Sequence, residues 1–139
     1  EYFCSYQERC HDEVERKLRE MRMIPIAVDT IIAHLIQNNF LNEERFACAF
    51  ARGKHRIKKW GRIRITSELK ARHISAYNIK KGLAEIEPEY LDTFEALVLS
   101  LRQSVSESNP LKKKKKMFDV LARKGYESHL IYEAIAMEL

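Results

Sequence analysis

The side chains of this 139-residue chain whose spacing suggests chemistry are its lysines and arginines, and that chemistry is anion binding. Arg52, Lys54, Arg56, Lys58, Lys59, Arg62, Arg64, Lys70 and Arg72 gather around Trp60, and Lys80 and Lys81 follow. A second group runs Lys112, Lys113, Lys114, Lys115, Lys116 and ends at Arg123 and Lys124. Arginine grips phosphates or carboxylates bidentately, and a tryptophan offers a stacking face to a base or a guanidinium. The plainer alternatives are a solvated helix face for the charges and burial between helices for Trp60. Five consecutive lysines cover every side of a helix, so some must face outward, where each phosphate neutralised would release counterions. A cationic first turn also opposes the helix dipole, a conflict that favours a binding role.

The charge is segregated. Residues 1–51 carry a net −3, and residues 52–82 carry eleven basic residues against Glu68 alone, a net +10. Residues 83–109 are net −5, 110–124 net +6 and 125–139 net −3. Solubility needs no such segregation, whereas a binding face would produce it. Catalytic patterns are lacking: there is no glycine-rich phosphate loop, nucleophile elbow or paired-histidine zinc helix. His11, His34, His55, His73 and His129 are dispersed. On a continuous helix Cys4 and Cys10 would stand roughly 240° apart, so a metal shared with His11 is not expected. The expectation is a protein that is not an enzyme and needs no metal or cofactor. The three cysteines, with no apolar leader before them, suggest reduced thiols in the cytoplasm. No apolar run approaches the roughly 20 residues that cross a bilayer.

The elements that must position these charges are helical, and they repeat. Ile65, Leu69, Ile79 and Leu83 recur 52 residues later as Met117, Leu121, Ile131 and Ile135. A short break divides each copy, Arg72-His73-Ile74-Ser75 and Lys124-Gly125-Tyr126-Glu127. Val14 and Leu18 precede Ile65 and Leu69 by 51; Ile31, Leu35 and Phe46 precede Ile79, Leu83 and Phe94 by 48. The first helix is expected from about Tyr6, on a Ser5–Glu8 capping box, to Arg22, with Cys10, Val14, Leu18 and Met21 inward. The second should follow Pro25, with Ile31, Ile32, Leu35 and Ile36 as its stripe. The third is capped by Asn42, runs to about Trp60 and keeps Phe46, Phe50 and Ile57 on one face. Two pairs follow, 62–72 with 75–87 and 111–124 with 127–138. Between them a helix opened by Pro88 carries Phe94, Leu97, Val98 and Leu101 inward. The fold class expected is all-α: three tandem modules of three helices, the last cut short, in an elongated curved array. The modules are expected at 1–39, 40–87 and 88–139.

The stretch FLNEERFACAFARGKHRIKKWGRIRITSELKARHIS, Phe40 to Ser75, resembles the central signature of the RecX family of recombination regulators. The matching pieces are Glu43-Glu44 before Arg45-Phe46-Ala47, the basic stretch, Trp60-Gly61, then Ile65 and Glu68-Leu69-Lys70. LARKGYESHLIYEAI, Leu121 to Ile135, resembles the family's final helical pair, and Ser5 to Met21 its opening. One departure is His73, where the family more often has glycine, so a different turn is expected there. The resemblance implies a monomer that binds the RecA filament, with its single-stranded or duplex DNA, and inhibits recombination, ATP hydrolysis and co-protease activity. It implies no membrane, cofactor or chemistry of its own. From the residues alone, a general single-stranded nucleic-acid-binding protein acting without RecA stays open, as does a helical adaptor for another acidic protein.

Overall fold

The computed structural model describes residues 1, 3–4 and 7–136. Eight helices longer than one turn follow one another among them. They are α1 (His11–Glu20), α2 (Pro25–Gln37), α3 (Glu43–Gly53), α4 (Arg62–Ala71), α5 (Ala76–Ile86), α6 (Tyr90–Ser104), α7 (Pro110–Lys124) and α8 (Ser128–Ala136). A five-residue π turn, Lys54–Lys58, extends α3, and a 3₁₀ turn, Glu87–Glu89, leads into α6.

Local signals account for most of the boundaries. Asn42 caps α3 by accepting the Arg45 N–H at 2.9 Å, and Ser75 caps α5 through the Asn78 N–H at 3.2 Å. Asn109 caps α7 by accepting the N–H groups of Leu111 and Lys112, with Pro110 as the first helical residue. This cap offsets the cationic first turn. The first helix differs from expectation. Ser5 and Tyr6 lie outside the described residues, Gln7 to Cys10 are not helical, and α1 starts at His11. The capping carboxylate is Glu13, which accepts the Cys10 N–H at 3.2 Å. Because α1 ends at Glu20, Met21 is exposed rather than inward, and Ile36 likewise faces out from α2.

The 52-residue repeat is visible in the backbone as well as in the core. Arg22, His73 and Gly125 follow equivalent helices, and all three are left-handed, with φ of 60°, 59° and 97°. Behind them the N–H groups of Met23, Ile74 and Tyr126 reach back to the carbonyls of Leu18, Leu69 and Leu121 at 3.4, 3.1 and 3.2 Å. This is the long bond of a Schellman motif, with an apolar residue just beyond the turn. His73 therefore makes the same turn as Gly125, not the different one expected of a non-glycine residue. Ile65, Leu69, Ile79, Met117, Leu121 and Ile131 are all buried, and Leu83 and Ile135 pack against them. With the unit begun at α4, as the sequence offset draws it, α7 and α8 form a further unit of two helices.

Two apolar clusters result. Val14, Leu18, Val28, Leu35 and Leu41 form one around α1 and α2, with Cys4. Helices α3 to α8 share the other, in which Ile65, Ile86, Tyr90, Met117, Leu121 and Ile131 are fully enclosed. Burying each such side chain contributes roughly 1.5–3 kcal/mol.

The end of α7 abuts the start of α4. The Gly61 N–H donates to the Lys124 carbonyl at 2.7 Å, and the Ile63 N–H donates to the Gly125 carbonyl at 2.9 Å. The N–H between them, of Arg62, donates to the Tyr90 hydroxyl at 2.9 Å. Groups that a helix end leaves unpaired are thus satisfied by tertiary partners. The approach requires glycine on both sides. A Cβ on Gly61 would lie 2.4 Å from the Gly125 oxygen, and one on Gly125 would lie 2.5 Å from the Arg64 nitrogen. Gly61→Ala is therefore expected to cost about 2–3 kcal/mol. His73→Gly, which relieves a left-handed non-glycine residue, should be neutral or stabilising by up to about 1 kcal/mol. Thermal unfolding followed by circular dichroism checks both, and equal behaviour of the two variants would contradict the junction described.

Candidate functional site

The basic residues fall into three kinds of surroundings. Arg62 is partly buried and committed to structure. Its guanidinium donates to Glu127 at 2.6 Å and Glu87 at 2.7 Å and lies 3.8 Å from the Tyr90 ring centre. Burial works against its charge, but the hydrogen bonds it donates to Glu127 and Glu87 outweigh it and raise its pKa above the usual value. Tyr90 in turn donates to the other oxygen of Glu127. Arg62 was expected on the binding face; the structure commits it instead to tying α4 to the end of α5 and the start of α8.

A second group is held by rings. Arg64 lies 4.2 Å from the Trp60 ring centre, with Lys54 at 5.1 Å from the same ring and 5.5 Å from Phe50. Arg72 lies 4.8 Å from Phe50 and pairs with Glu68 at 3.0 Å. Cations and aromatic rings thus alternate from Arg72 through Phe50, Lys54 and Trp60 to Arg64. Trp60 is half-buried, and a base stacking on it would compete with the Lys54 and Arg64 cations that already lie against its ring. Arg123 and Lys124 join this group from α7: Arg64 donates to the Arg123 carbonyl at 3.2 Å, and the Lys124 ammonium donates to the Lys58 carbonyl at 2.9 Å. The two basic blocks of the sequence therefore meet at this junction.

The third group is exposed. Lys58, Lys59, Lys70, Lys80 and Lys112 project outward without a carboxylate partner among the described residues, and Lys81 lies over the Tyr77 ring. Arg52 and Arg56 form pairs with Glu85 at 3.5 Å and Glu89 at 2.9 Å. Pairs this exposed contribute about 0–1 kcal/mol, so an anionic partner could take them over. The lysine run is divided by its helix. Lys113 donates to the Arg102 carbonyl at 2.8 Å, Lys116 pairs with Glu107 at 3.2 Å, Lys115 approaches Asp119 at 3.9 Å, and Lys114 is half-exposed. By the helical rise, Lys112 stands about 18 Å along α7 from Lys124. The run is thus a separate patch from the junction.

Sequence reasoning missed the π turn. Its wider winding shifts the register after Gly53, so Ile57, expected beside Phe46 and Phe50, is 78% exposed. The same turn carries His55 inward, fully buried, where its ring donates to the Trp60 carbonyl at 2.8 Å and stacks on Tyr90 at 5.3 Å. The cysteines are free thiols. Cys4 and Cys10 pack in different clusters, and burial pushes the Cys10 thiol up to about 11.

Two sequence models of one family match the chain in tandem. RecX, second three-helix domain, covers residues 42–83, and RecX, third three-helix domain, covers residues 88–135. The chain belongs to the RecX family. These matches divide the helices at α3 and α6, one helix earlier than the sequence offset does, so each contains three. Among curated relatives, the regulatory protein RecX of Lactobacillus gasseri is 29% identical over 140 residues, 98% of this chain and 52% of its own length. That of Bacillus cytotoxicus is 26% identical over 130 residues, 93% of this chain and 48% of its own length. The chain therefore spans about half the length of the curated relatives it matches. Two solved structures share the fold. RecX from Lactobacillus salivarius superposes with a TM-score of 0.79 at 24% identity, over 98% of this chain and 89% of that one. A further regulatory protein RecX gives 0.84 at 23%, over 96% of this chain and 67% of that one. No helix among the described residues is long and apolar enough to cross a membrane.

The geometry separates structural from available cations. Arg62→Ala is expected to destabilise by about 1–2 kcal/mol, allowing for its partial exposure, because Glu127 loses its partner. Lys58→Ala and Lys112→Ala should stay within about 0.5 kcal/mol in denaturant unfolding. Burial, reinforced at both sites by Glu127, raises the pKa of the Tyr90 and Tyr126 phenols. A folded-state pKa above the ordinary value of about 10 contributes stability that is complete below pH ~10 and lost as pH rises beyond it. Unfolding midpoints should hold to about pH 9 and then fall, and the fall should be smaller in Tyr90→Phe when each protein is referred to its own midpoint at pH 8.

Proposed function

We propose that this protein binds the RecA recombinase filament and restrains recombination, ATP hydrolysis and co-protease activity, so modulating DNA repair and the SOS response from the cytoplasm. The observation that carries this reading is the tandem match to two RecX domains on a chain that leaves Lys58, Lys59, Lys70, Lys80 and Lys112 exposed without a carboxylate partner among the described residues. The contacts would come from the exposed lysines 58, 59, 70, 80, 81 and 112, from the half-exposed Lys114 and from the exchangeable pairs of Arg52 and Arg56. The same lysines would meet DNA phosphate within the filament. Successive modules, taken as 1–39, 40–87 and 88–139, would engage successive protomers of a monomeric regulator's track, so that weak contacts add through effective concentration. Binding without chemistry would block filament growth or hasten disassembly.

The test is ATP hydrolysis by RecA on single-stranded DNA with this protein titrated in, beside its binding to the same DNA without RecA. Inhibition is expected at concentrations where binding to bare DNA is negligible. Replacing Lys58, Lys59, Lys70 and Lys112 by alanine should weaken inhibition at low salt while helicity is unchanged. Inhibition that only tracks coating of the DNA would favour the second reading, a general single-strand binder. In that case, about six phosphate contacts would give log K a slope of roughly −4 against log salt. The two cations already held against the Trp60 ring weigh against that reading.

A further inference from the structure

A groove of about 410 Å³ runs beside α3 and the π turn. Phe46, Ala49 and Phe50 form its apolar floor, Lys54, Lys58 and Arg72 line one side, and Gln7, Glu8 and Glu13 line the other. Ile57, 78% exposed, stands at its rim. Gly53 also lines it, and neither backbone nor packing calls for glycine there. Its φ of −63° and ψ of −48° are ordinary helical values, and a Cβ would meet nothing within 4 Å. Glycine in a helix is less stable than alanine. What its missing side chain does is leave the groove open.

The charges of the groove do not cancel. Glu8 is held by Arg45 at 2.6 Å, Glu13 by Arg9 at 3.6 Å, and Arg72 by Glu68 at 3.0 Å. Lys54 and Lys58 have no carboxylate partner among the described residues, and Lys54 is steadied over the Phe50 and Trp60 rings. An apolar floor beneath two uncompensated ammonium groups complements an anion that carries a hydrocarbon anchor. Bare nucleic acid fits less well, since Glu8 and Glu13 would face its phosphates and the floor would find no apolar counterpart.

We propose that this groove docks an acidic peptide segment of a protein partner, one apolar side chain lying on Phe46, Ala49 and Phe50 past Gly53 and its flanking carboxylates meeting Lys54 and Lys58. The proposal rests on the regulatory reading above and names the kind of partner surface that would be gripped. Apolar anchors in a pocket give affinity, while the charges set orientation and encounter rate.

The experiment is fluorescence anisotropy on the full chain with a fluorescein-labelled peptide of aspartates and glutamates around a central leucine. Its leucine-to-serine counterpart and an oligothymidylate of equal charge are titrated beside it. The leucine peptide should bind at least about tenfold more tightly than either control. Gly53→Leu, whose Cβ would meet nothing within 4 Å and whose side chain would occupy the groove, should weaken it about tenfold while thermal unfolding is retained, and the Lys54→Glu, Lys58→Glu pair should do the same. Equal binding of the serine peptide, tighter binding of the oligonucleotide, or full affinity in Gly53→Leu would overturn the proposal. RecA ATP hydrolysis is measured in parallel with the unsubstituted protein. Inhibition without peptide binding removes the groove and leaves the filament reading; peptide binding without inhibition supports the groove and removes that reading.

Discussion

The architecture of α3 to α8 depends on the meeting of two helix ends. The last carbonyls of α7 accept the first N–H groups of α4, across a gap that only two glycines permit. Two sets of backbone groups that would otherwise need water satisfy each other. The dipoles of the two helices also meet favourably, negative end to positive end. Around this contact the polar residues are consistent with it: Tyr90 accepts the intervening N–H, Glu127 receives both Tyr90 and Arg62, and Tyr126 donates to the Lys59 carbonyl at 2.8 Å. Arg62, one of the basic residues expected on a binding face, is therefore one that positions its neighbours.

The functional surface follows from the same contact. Bringing Lys124 against the Lys58 carbonyl joins two charge blocks that are far apart in the chain. The rings of Phe50 and Trp60 then space the cations so that they do not simply repel one another. What remains outward-facing is mostly lysine, a mobile point charge suited to many weak contacts, while the arginines are mostly stacked or paired.

Helix number, the caps at Asn42 and Ser75 and the buried repeat from Ile65 to Ile135 were legible because each rests on local pattern. Ile57, His55 and Arg62 were not, and for distinct reasons. The π turn inserts one residue into a helical count, which no periodicity within the helix announces. His55 goes inward because a carbonyl and a tyrosine ring await it, both supplied by tertiary structure. Arg62 sits in a run of nine basic residues, and nothing in that run distinguishes it; its carboxylates lie 25 and 65 positions away. At His73 local rules misled in another way, since backbone geometry set by the repeat overrode the preference for glycine. Within the site, the sequence indicated the charge but not its allocation.

The separate cluster around α1 and α2 has a consequence for how the molecule comes apart. Its apolar side chains form their own enclosure, and its side-chain links to the rest include polar ones, Arg45 with Glu8 and His73 with Asp12. Such a unit can open while the larger cluster stays intact, as a cooperative element with its own, smaller free energy of exposure. Amide protons of α1 and α2 would then exchange with solvent by a different route from those of Leu69 or Leu121. The Glu8 and Glu13 wall of the groove would leave with them, so the shape of that groove is tied to this unit staying closed.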